Sequence, residues 1–275
     1  MDDSIPAGPG GRADTSHRFL FEQADIRGQC VNLQDSYRDI IAIHQYAPGV
    51  GRLLGEFLAA SVLLSTTLKF EGKLILQARS QGQVPLLMAE CNHELHIRGI
   101  ARGAEEATAL DNPKLLTQGQ LAITIDPLNG QRYQGIVPLE AASLASSLDS
   151  YFEKSEQLGT RFWLAADGAT ASGMLLQQLP PELVPEEQER QHQWENACML
   201  AETLDSAELL SLAPQDYLHR LYHEDPVRLF APKAVQFRCS CSRERTRNAL
   251  ATLDRTEIED ILAEMGAVTM DCEFC

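Results

Sequence analysis

The chain has 275 residues, which predicts about two domains, and 44% of them are hydrophobic, so wholesale disorder is excluded. Its 39 acidic residues outnumber its 23 basic ones and give a formal net charge of −16, which argues against a nucleic-acid-binding protein and its basic patch. Residues 1–16 are acidic and rich in glycine and proline, which predicts a disordered tail and no signal peptide. The longest apolar runs, such as residues 84–89, are too short for a bilayer, so no membrane segment is predicted.

Residues 17–180 alternate between the periodicities of strands and helices. Strands are predicted at 18–23, 26–33, 74–78, 84–91, 95–97, 121–125, 133–139, 161–165 and 173–179, and helices at 35–46, 50–64 and 140–157. Asn129-Gly130 is a strong hairpin turn signal between two of these strands. Because hairpins outnumber β-α-β units, the fold class predicted is α+β, with an antiparallel β-sheet core domain and packed helices.

Residues 181–232 form an acidic helical linker, with 3 basic against 11 acidic residues. Two amphipathic helices are predicted in it, at 189–204 and 216–224. The apolar stripe of the first consists of Trp194, Ala197, Cys198, Ala201 and Leu204, and the second carries Leu218 and Leu221. Such a segment folds only by docking its stripe on another surface, and the repulsion among its acidic residues makes that docking marginal.

Residues 233–275 are predicted to be a small Cys-rich module. Cys239 and Cys241 form a CxC pair and Cys272 and Cys275 a CxxC pair, and four thiolates in two close pairs suit one tetrahedral Zn²⁺. A module of this size cannot fold on a hydrophobic core alone, so the metal would supply most of its folding free energy. Four thiolates leave no open coordination position for water, which argues against Lewis-acid catalysis and leaves a structural or a redox role.

The segment between the two cysteine pairs is predicted to be helical. One helix is expected at 243–253, and Thr256 with Glu259 forms a capping-box pattern that would open a second helix, closed at Gly266. A short strand at 267–271 would then deliver the CxxC pair.

Several segments resemble the heat-shock protein 33 family, the redox-regulated holdase chaperones. The most specific are CSCSRER at 239–245, CEFC at 272–275 and RLYHE at 220–224. Further similar segments are RFLFE at 18–22, RGIAR at 98–102, RYQGIV at 132–137, YFEKSEQLGT at 151–160 and GMLLQ at 173–177. The resemblance covers the chain from about residue 17 onward.

The resemblance implies an ATP-independent cytoplasmic chaperone, inactive while it is reduced and holds one zinc. It implies that oxidation forms the disulfides Cys239–Cys241 and Cys272–Cys275, that zinc is lost, and that the module and linker unfold. Hydrophobic surface exposed in this way would hold unfolding client proteins, and active members are homodimers. A cytoplasmic location also agrees with seven cysteines in a chain without an export signal.

Two departures from the family pattern are visible. Family sequences usually continue beyond the CxxC pair, whereas this chain ends at Cys275, which suggests a shortened chain. Ser172 stands where the family has the first glycine of GGMLLQ, and we expect it to be tolerated if its φ is negative.

Two other functions remain open from the residues alone. A constitutive zinc-binding module could recognise nucleic acid or a fixed protein partner through a small basic cluster, Arg238, Arg243, Arg245 and Arg247, although the module is net −2. A thiol oxidoreductase would need a CxxC pair with one depressed pKa and an accessible sulfur.

The remaining motifs predict no chemistry. HRLYH at 219–223 lacks the glutamate of a zincin helix, and Cys30, Cys91 and Cys198 are expected to be buried small hydrophobes. No phosphate-binding glycine loop or Ser-His-Asp elbow is found in the sequence, so no enzymatic activity is predicted.

Overall fold

The structure, a computed structural model, describes residues 14–68, 70–110, 112–139, 143–156 and 158–275. The strands are β1 (Thr15–Phe21), β2 (Ile26–Leu33), β3 (Gly72–Arg79), β4 (Leu86–Asn92), β5 (His96–Arg102), β6 (Gly119–Pro127), β7 (Tyr133–Leu139), β8 (Thr160–Ala166), β9 (Ala171–Gln178), β10 (Val227–Leu229), β11 (Lys233–Ala234) and β12 (Gln236–Phe237). The helices are α1 (Asp35–Ala42), α2 (Pro48–Thr67), α3 (Asn112–Leu115), α4 (Leu144–Tyr151), α5 (Glu187–Ala201), α6 (Ser206–Ser211), α7 (Pro214–Tyr222), α8 (Arg243–Leu250) and α9 (Arg255–Met265).

The strands form two six-stranded sheets. Sheet A has the order β10-β1-β2-β9-β8 with β11 also paired to β1, and sheet B has the order β12-β5-β4-β3-β6-β7. Every pairing is antiparallel except that of β12 with β5. The predicted α+β class with antiparallel sheets is therefore confirmed. The hairpin between β6 and β7 also agrees, since Gly130 takes the positive φ of 113° that its turn needs.

Helix α2 lies between the two sheets and forms the main core. Fifteen of its 20 residues are buried, because its apolar residues surround the whole helix rather than one stripe. Among the described residues, α2 alone has the length and composition of a membrane-spanning helix, and 83% of its apolar window is buried in the fold. Burial between two sheets explains its composition, since core helices of soluble proteins pass the same length and hydropathy test.

The linker helices cover the other face of sheet A. A second buried cluster joins Phe19, Phe21, Cys30, Met174 and Leu176 of the sheet to Trp194, Ala197, Ala201, Leu204, Leu218 and Leu221 of the linker. The stripes predicted from the sequence are thus the residues that pack. Short helix α6 was not predicted, because its six residues are too few to show a helical period.

The two ends of the core domain differ from the predicted boundaries. Strand β1 begins at Thr15, inside the segment predicted as a tail, while residues 1–13 of that segment lie outside the described residues. The Asp14 carboxylate accepts the backbone N–H groups of Gln34, Asp35 and Ser36, which satisfies donors left unpaired at the start of α1. At the other end, β11 and β12 of the predicted module pair with strands of the core.

Three local predictions were wrong. Helix α1 ends at Ala42 rather than 46, because the chain must turn before Pro48 opens α2. The N-cap of α9 is Asp254, not Thr256, and its side chain accepts the N–H of Arg255. Residues 267–271 form no strand, since no strand of the described chain pairs with them. The closing αL glycine, Gly266 with φ 72°, is confirmed.

The helix predicted at 140–157 is observed as α4 followed by a π-helical turn at Phe152–Glu156. Residues 140–142 and 157 of that prediction lie outside the described residues. Ser172 has no positive φ and is buried, and it accepts a hydrogen bond from the Asn32 amide, so this departure from the family glycine is accommodated.

Candidate metal centre

The four C-terminal cysteines lie together in the folded chain. All four Sγ atoms are within 4.8 Å of one another, although 33 residues separate Cys239 from Cys272. Two close contacts link the pairs, with the Cys239 and Cys272 sulfurs 3.6 Å apart and those of Cys241 and Cys275 3.4 Å apart. None of the four is in a disulfide. The cluster predicted from spacing is therefore present as one compact set of thiols that could hold a metal ion.

These separations fit a tetrahedral site. Zn–S bonds of about 2.3 Å place the sulfurs of a tetrahedral Zn²⁺ roughly 3.8 Å apart. The two short separations lie slightly below that value, and the longest, at most 4.8 Å, lies slightly above it. Cys239 and Cys272 are half-buried whereas Cys241 and Cys275 are exposed, so half of the site faces solvent.

The thiols of the site differ in proton affinity. Burial by itself would raise the pKa of Cys239, but the Cys241 backbone N–H, the Arg98 guanidinium and the Cys272 thiol lower it to about 7. For Cys275 the hydrogen bond shared with Cys241 holds the proton and raises the pKa. Thiolate character is thus greater at Cys239, beside Arg98, than at the exposed Cys275.

The module around the thiols has no apolar interior. Neither α8 nor α9 contains a buried residue. Four of its large apolar side chains are exposed: Leu253, Leu262, Met265 and Met270. Because burial contributes so little, ligation of the four thiols is the strongest interaction available to hold the two helices and the two cysteine pairs together.

The module docks on the core through the residues between its last two cysteines. Arg98, on β5, places its guanidinium 4.3 Å from the Phe274 ring centroid and donates to the Cys239 sulfur at 3.7 Å. Its other partner is the buried Glu90 carboxylate, at 2.7 Å. Arg102 pairs with the Glu273 carboxylate, and the Glu273 carbonyl lies 2.8 Å from His44 Nε2. The cluster of four cysteines is therefore in direct contact with strand β5 of sheet B.

These docking residues were not identified as functional from the sequence. Arg98 and Arg102 lie in the RGIAR segment that carries part of the family resemblance, which was the only available signal. A cleft of about 760 Å³ opens beside them between sheet B and Cys239, lined by charged side chains that include Lys73, Glu90 and Arg238.

Of the three remaining cysteines, Cys30 and Cys91 are buried as predicted, whereas Cys198 is half-buried. Cys30 and Cys91 are fully buried, and burial raises the pKa of each thiol to about 12. Cys198 packs on the linker cluster, and burial likewise raises its pKa to about 12. Thiols with such high pKa values are almost entirely protonated at neutral pH and react slowly with oxidants.

The linker is fastened to sheet A by a few polar contacts as well as by its stripe. The Asp25 carboxylate accepts the N–H groups of Glu182, Leu183 and Val184 at 2.9–3.2 Å, which fixes the start of the linker. Tyr222 packs its ring 4.8 Å from that of Phe21, and its hydroxyl donates to the Ala197 carbonyl at 3.0 Å. Linker residues therefore pack over the apolar side chains on the outer face of sheet A.

Comparison with known proteins gives a consistent result. The family model for Hsp33 protein matches residues 14–275. A 33 kDa chaperonin of Ectopseudomonas mendocina is 54% identical over 265 residues, covering 95% of this chain and 90% of that protein. A 33 kDa chaperonin of Pseudomonas paraeruginosa is 51% identical over 266 residues, covering 96% and 90%. The crystal structure of a 33 kDa chaperonin, a heat shock protein 33 homolog from Thermotoga maritima, is similar with a TM-score of 0.79 at 22% identity over 95% of this chain and 92% of that one.

Proposed function

The chain belongs to the Hsp33 family, and from this premise we propose that it is an ATP-independent, redox-regulated holdase chaperone of the cytoplasm. Its clients are unfolding proteins. The relatives named 33 kDa chaperonin support the chaperone function at about half identity. We propose three functional parts: the core domain, the linker at 181–232 and the module that carries Cys239, Cys241, Cys272 and Cys275.

One observation carries the proposal: an apolar face of sheet A is covered by the acidic linker. Phe19, Phe21 and Met174 project from sheet A into a cluster whose other half consists of linker residues. The linker carries 11 acidic and 3 basic residues, so its own charge opposes compact docking. If the linker leaves, sheet A exposes a contiguous apolar surface of the kind that binds unfolded chains.

The four thiolates would hold Zn²⁺, which supplies the module with folding free energy. In zinc-finger peptides structural zinc contributes roughly 10–16 kcal/mol, comparable with the stability of a whole domain. The module has no buried residue in α8 or α9 to replace that contribution. We propose that loss of the thiolates unfolds the module and, through the segment that joins it to the linker, releases the linker.

The oxidation consumes two equivalents of a peroxide-class oxidant. For each disulfide, two thiolates give up two electrons and form one S–S bond. The peroxide O–O bond breaks, and with two protons from solvent the oxidant leaves as two water molecules. Cys241 and Cys275 are exposed to an oxidant from solvent, while Cys239, beside Arg98, has the lowered pKa that favours the reactive thiolate.

We propose the disulfides Cys239–Cys241 and Cys272–Cys275. All four sulfurs lie within 4.8 Å of one another, with contacts of 3.4–3.6 Å between the pairs, so geometry alone does not select this connectivity. Once the module begins to unfold, however, closing a loop of a few residues costs less entropy than closing one of more than 30. Pairing between sequence neighbours is then favoured, and peptide mapping of the oxidised chain tests it.

Aggregation of a thermally unfolding client tests the switch. Zinc-loaded, reduced protein should leave the aggregation unchanged, whereas peroxide-treated protein should suppress it with loss of one zinc and four free thiols. Cys272→Ser should lower zinc content and raise activity without oxidant. Cys91→Ser is the matched control, since this buried thiol lies outside the cluster and its loss should leave the zinc content and the switch unchanged.

Equal suppression by both forms would remove the switch from the proposal. Light scattering of the oxidised chain tests the proposed homodimer, whose mass should be twice that of the 30.4 kDa chain. Salt-dependent RNA binding that persists in the reduced protein would favour the nucleic-acid alternative, and turnover of a small disulfide would favour an oxidoreductase.

A further inference from the structure

Residues 235–238, directly before Cys239, lead from β11 on sheet A to sheet B, where Gln236–Phe237 form the edge strand β12 beside β5. Each of their four backbone N–H groups donates to an acceptor of the core. The acceptors are the Asp14 carbonyl for Val235 at 2.9 Å, the Leu95 carbonyl for Gln236 at 3.1 Å, the Ser36 hydroxyl for Phe237 at 2.8 Å and the Ile97 carbonyl for Arg238 at 3.1 Å. We call these four acceptors the inter-sheet slot and residues 235–238 the filling segment.

The slot has the geometry of a binding site for an extended peptide. Successive N–H groups of a strand point to opposite sides, and here they alternate between β5 and the start of β1 and α1. The acceptors therefore satisfy the main chain of any extended segment without regard to its sequence. Main-chain pairing of this type, with pockets for alternate side chains, is how proteins bind peptides by strand addition.

The side chains of the filling segment define what the slot selects. Val235 is 3% exposed and Phe237 is partly buried, and both pack against the main core cluster, whereas Gln236 between them is exposed. The slot thus accepts apolar side chains two residues apart. Segments with this alternation are common in the unfolded chains of β-rich proteins, where they form strands with one buried face.

We propose that the inter-sheet slot is a second client-binding site, filled by the chain itself in the reduced state. This proposal rests on the proposed holdase function. Oxidation of Cys239 would loosen the adjoining module, whose contacts to Arg98, Arg102 and His44 hold the far end of the filling segment. The free energy that the filling segment gains from its hydrogen bonds is about equal to the conformational entropy cost of ordering it. A client strand can therefore replace it.

Hydrogen exchange of the full chain tests the first step. The amides of residues 235–238 should exchange slowly in the zinc-loaded protein. After peroxide treatment they should exchange at least tenfold faster. Aggregation suppression is measured on the same samples. If the oxidised protein suppresses aggregation while these amides stay protected, the slot proposal is overturned and the holdase function stands. If no suppression appears, the proposed function itself fails.

A peptide tests the second step. The probe is a fluorescein-labelled heptapeptide with the sequence of residues 232–238, PKAVQFR. It should bind the oxidised chain at least tenfold more tightly than the reduced chain. The matched control carries N-methyl groups at the positions of Gln236 and Arg238, which removes the two N–H donors to β5, and it should bind at least tenfold more weakly. Equal binding of the two peptides would overturn the proposal.

A substitution in the slot adds an independent readout. Ser36→Ala removes the side-chain acceptor of one N–H and leaves the three backbone acceptors in place. The oxidised variant should bind the probe two- to fivefold more weakly, with the zinc content of the reduced variant unchanged. Unaltered probe affinity would place the peptide elsewhere and contradict the slot.

Discussion

Helix α2 and the C-terminal module are folded by different interactions. Fifteen of the 20 residues of α2 are buried between the sheets, whereas neither helix of the module has a buried residue. Apolar burial stabilises α2 in the reduced and in the oxidised protein alike. We propose that the module depends on a metal ion held by the four clustered sulfur atoms, and that losing this ion would remove most of its stability. A fold assembled from both parts can lose one cooperatively while keeping the other.

The largest effect expected is that of chelating the metal. A strong chelator should unfold α8 and α9, because roughly 10–16 kcal/mol of ligation has no substitute in buried area. Sheet B and α2 should keep their hydrogen-exchange protection. Mass-spectrometric exchange over residues 243–265 compared with residues 48–67 measures the contrast. Protection of the module that survives complete chelation would show that the comparison is mistaken.

A core truncation should give the opposite pattern. Leu58 is fully buried on α2, so Leu58→Ala should lower the free energy of unfolding of the core by about 2–5 kcal/mol through lost burial and a residual cavity. Zinc content should not change. Leu262→Ala on α9 is the matched control, since this leucine is 45% exposed and its truncation should cost less than about 0.5 kcal/mol. Urea unfolding followed by circular dichroism distinguishes them.

Glu56 is an ionisable residue on α2, within the region that apolar burial stabilises. Desolvation raises its pKa from 4.5 to about 7, although Arg52 acts in the opposite direction. The folded chain therefore binds the Glu56 proton more tightly than the unfolded chain does. The contribution of this protonated carboxyl to the free energy of unfolding is fully present below pH 4.5 and is lost as the pH rises through 7. Glu56→Gln should remove a pH-dependent difference on the order of 1–3 kcal/mol. Parallel urea titrations at pH 4.5 and 8 measure it, and an unchanged pH dependence in the variant would contradict this assignment.

The smallest effect concerns the contact between the two regions. Phe274→Ala removes the ring 4.3 Å from the Arg98 guanidinium, and a cation–π contact of about 1 kcal/mol corresponds to roughly fivefold faster zinc release to a chromogenic chelator. The Arg102–Glu273 pair is about half exposed, so Arg102→Gln should change that rate less than about twofold. A larger effect of Arg102→Gln than of Phe274→Ala would reverse this order.

Much of the fold followed from local patterns. The bounds of β2 (Ile26–Leu33) and β7 (Tyr133–Leu139) agree with the prediction to the residue, and the Asn129-Gly130 turn signal precedes β7. Bounds failed where a distant residue decides them. Strand β1 begins at Thr15, inside the predicted tail, because Thr15 pairs with Asn32 of β2, and β12 forms because β5 lies beside it.

By itself the sequence determined the α+β class, the acidic linker with its apolar stripes and the four candidate metal ligands, since each is expressed in residue type and short-range spacing. The tertiary structure alone decided where these parts meet. It placed the linker stripe on the outer face of sheet A, Arg98 against Cys239 and Phe274, and residues 235–238 in the inter-sheet slot. Such contacts join residues far apart in the chain, and their geometry follows from the packing of whole sheets and helices.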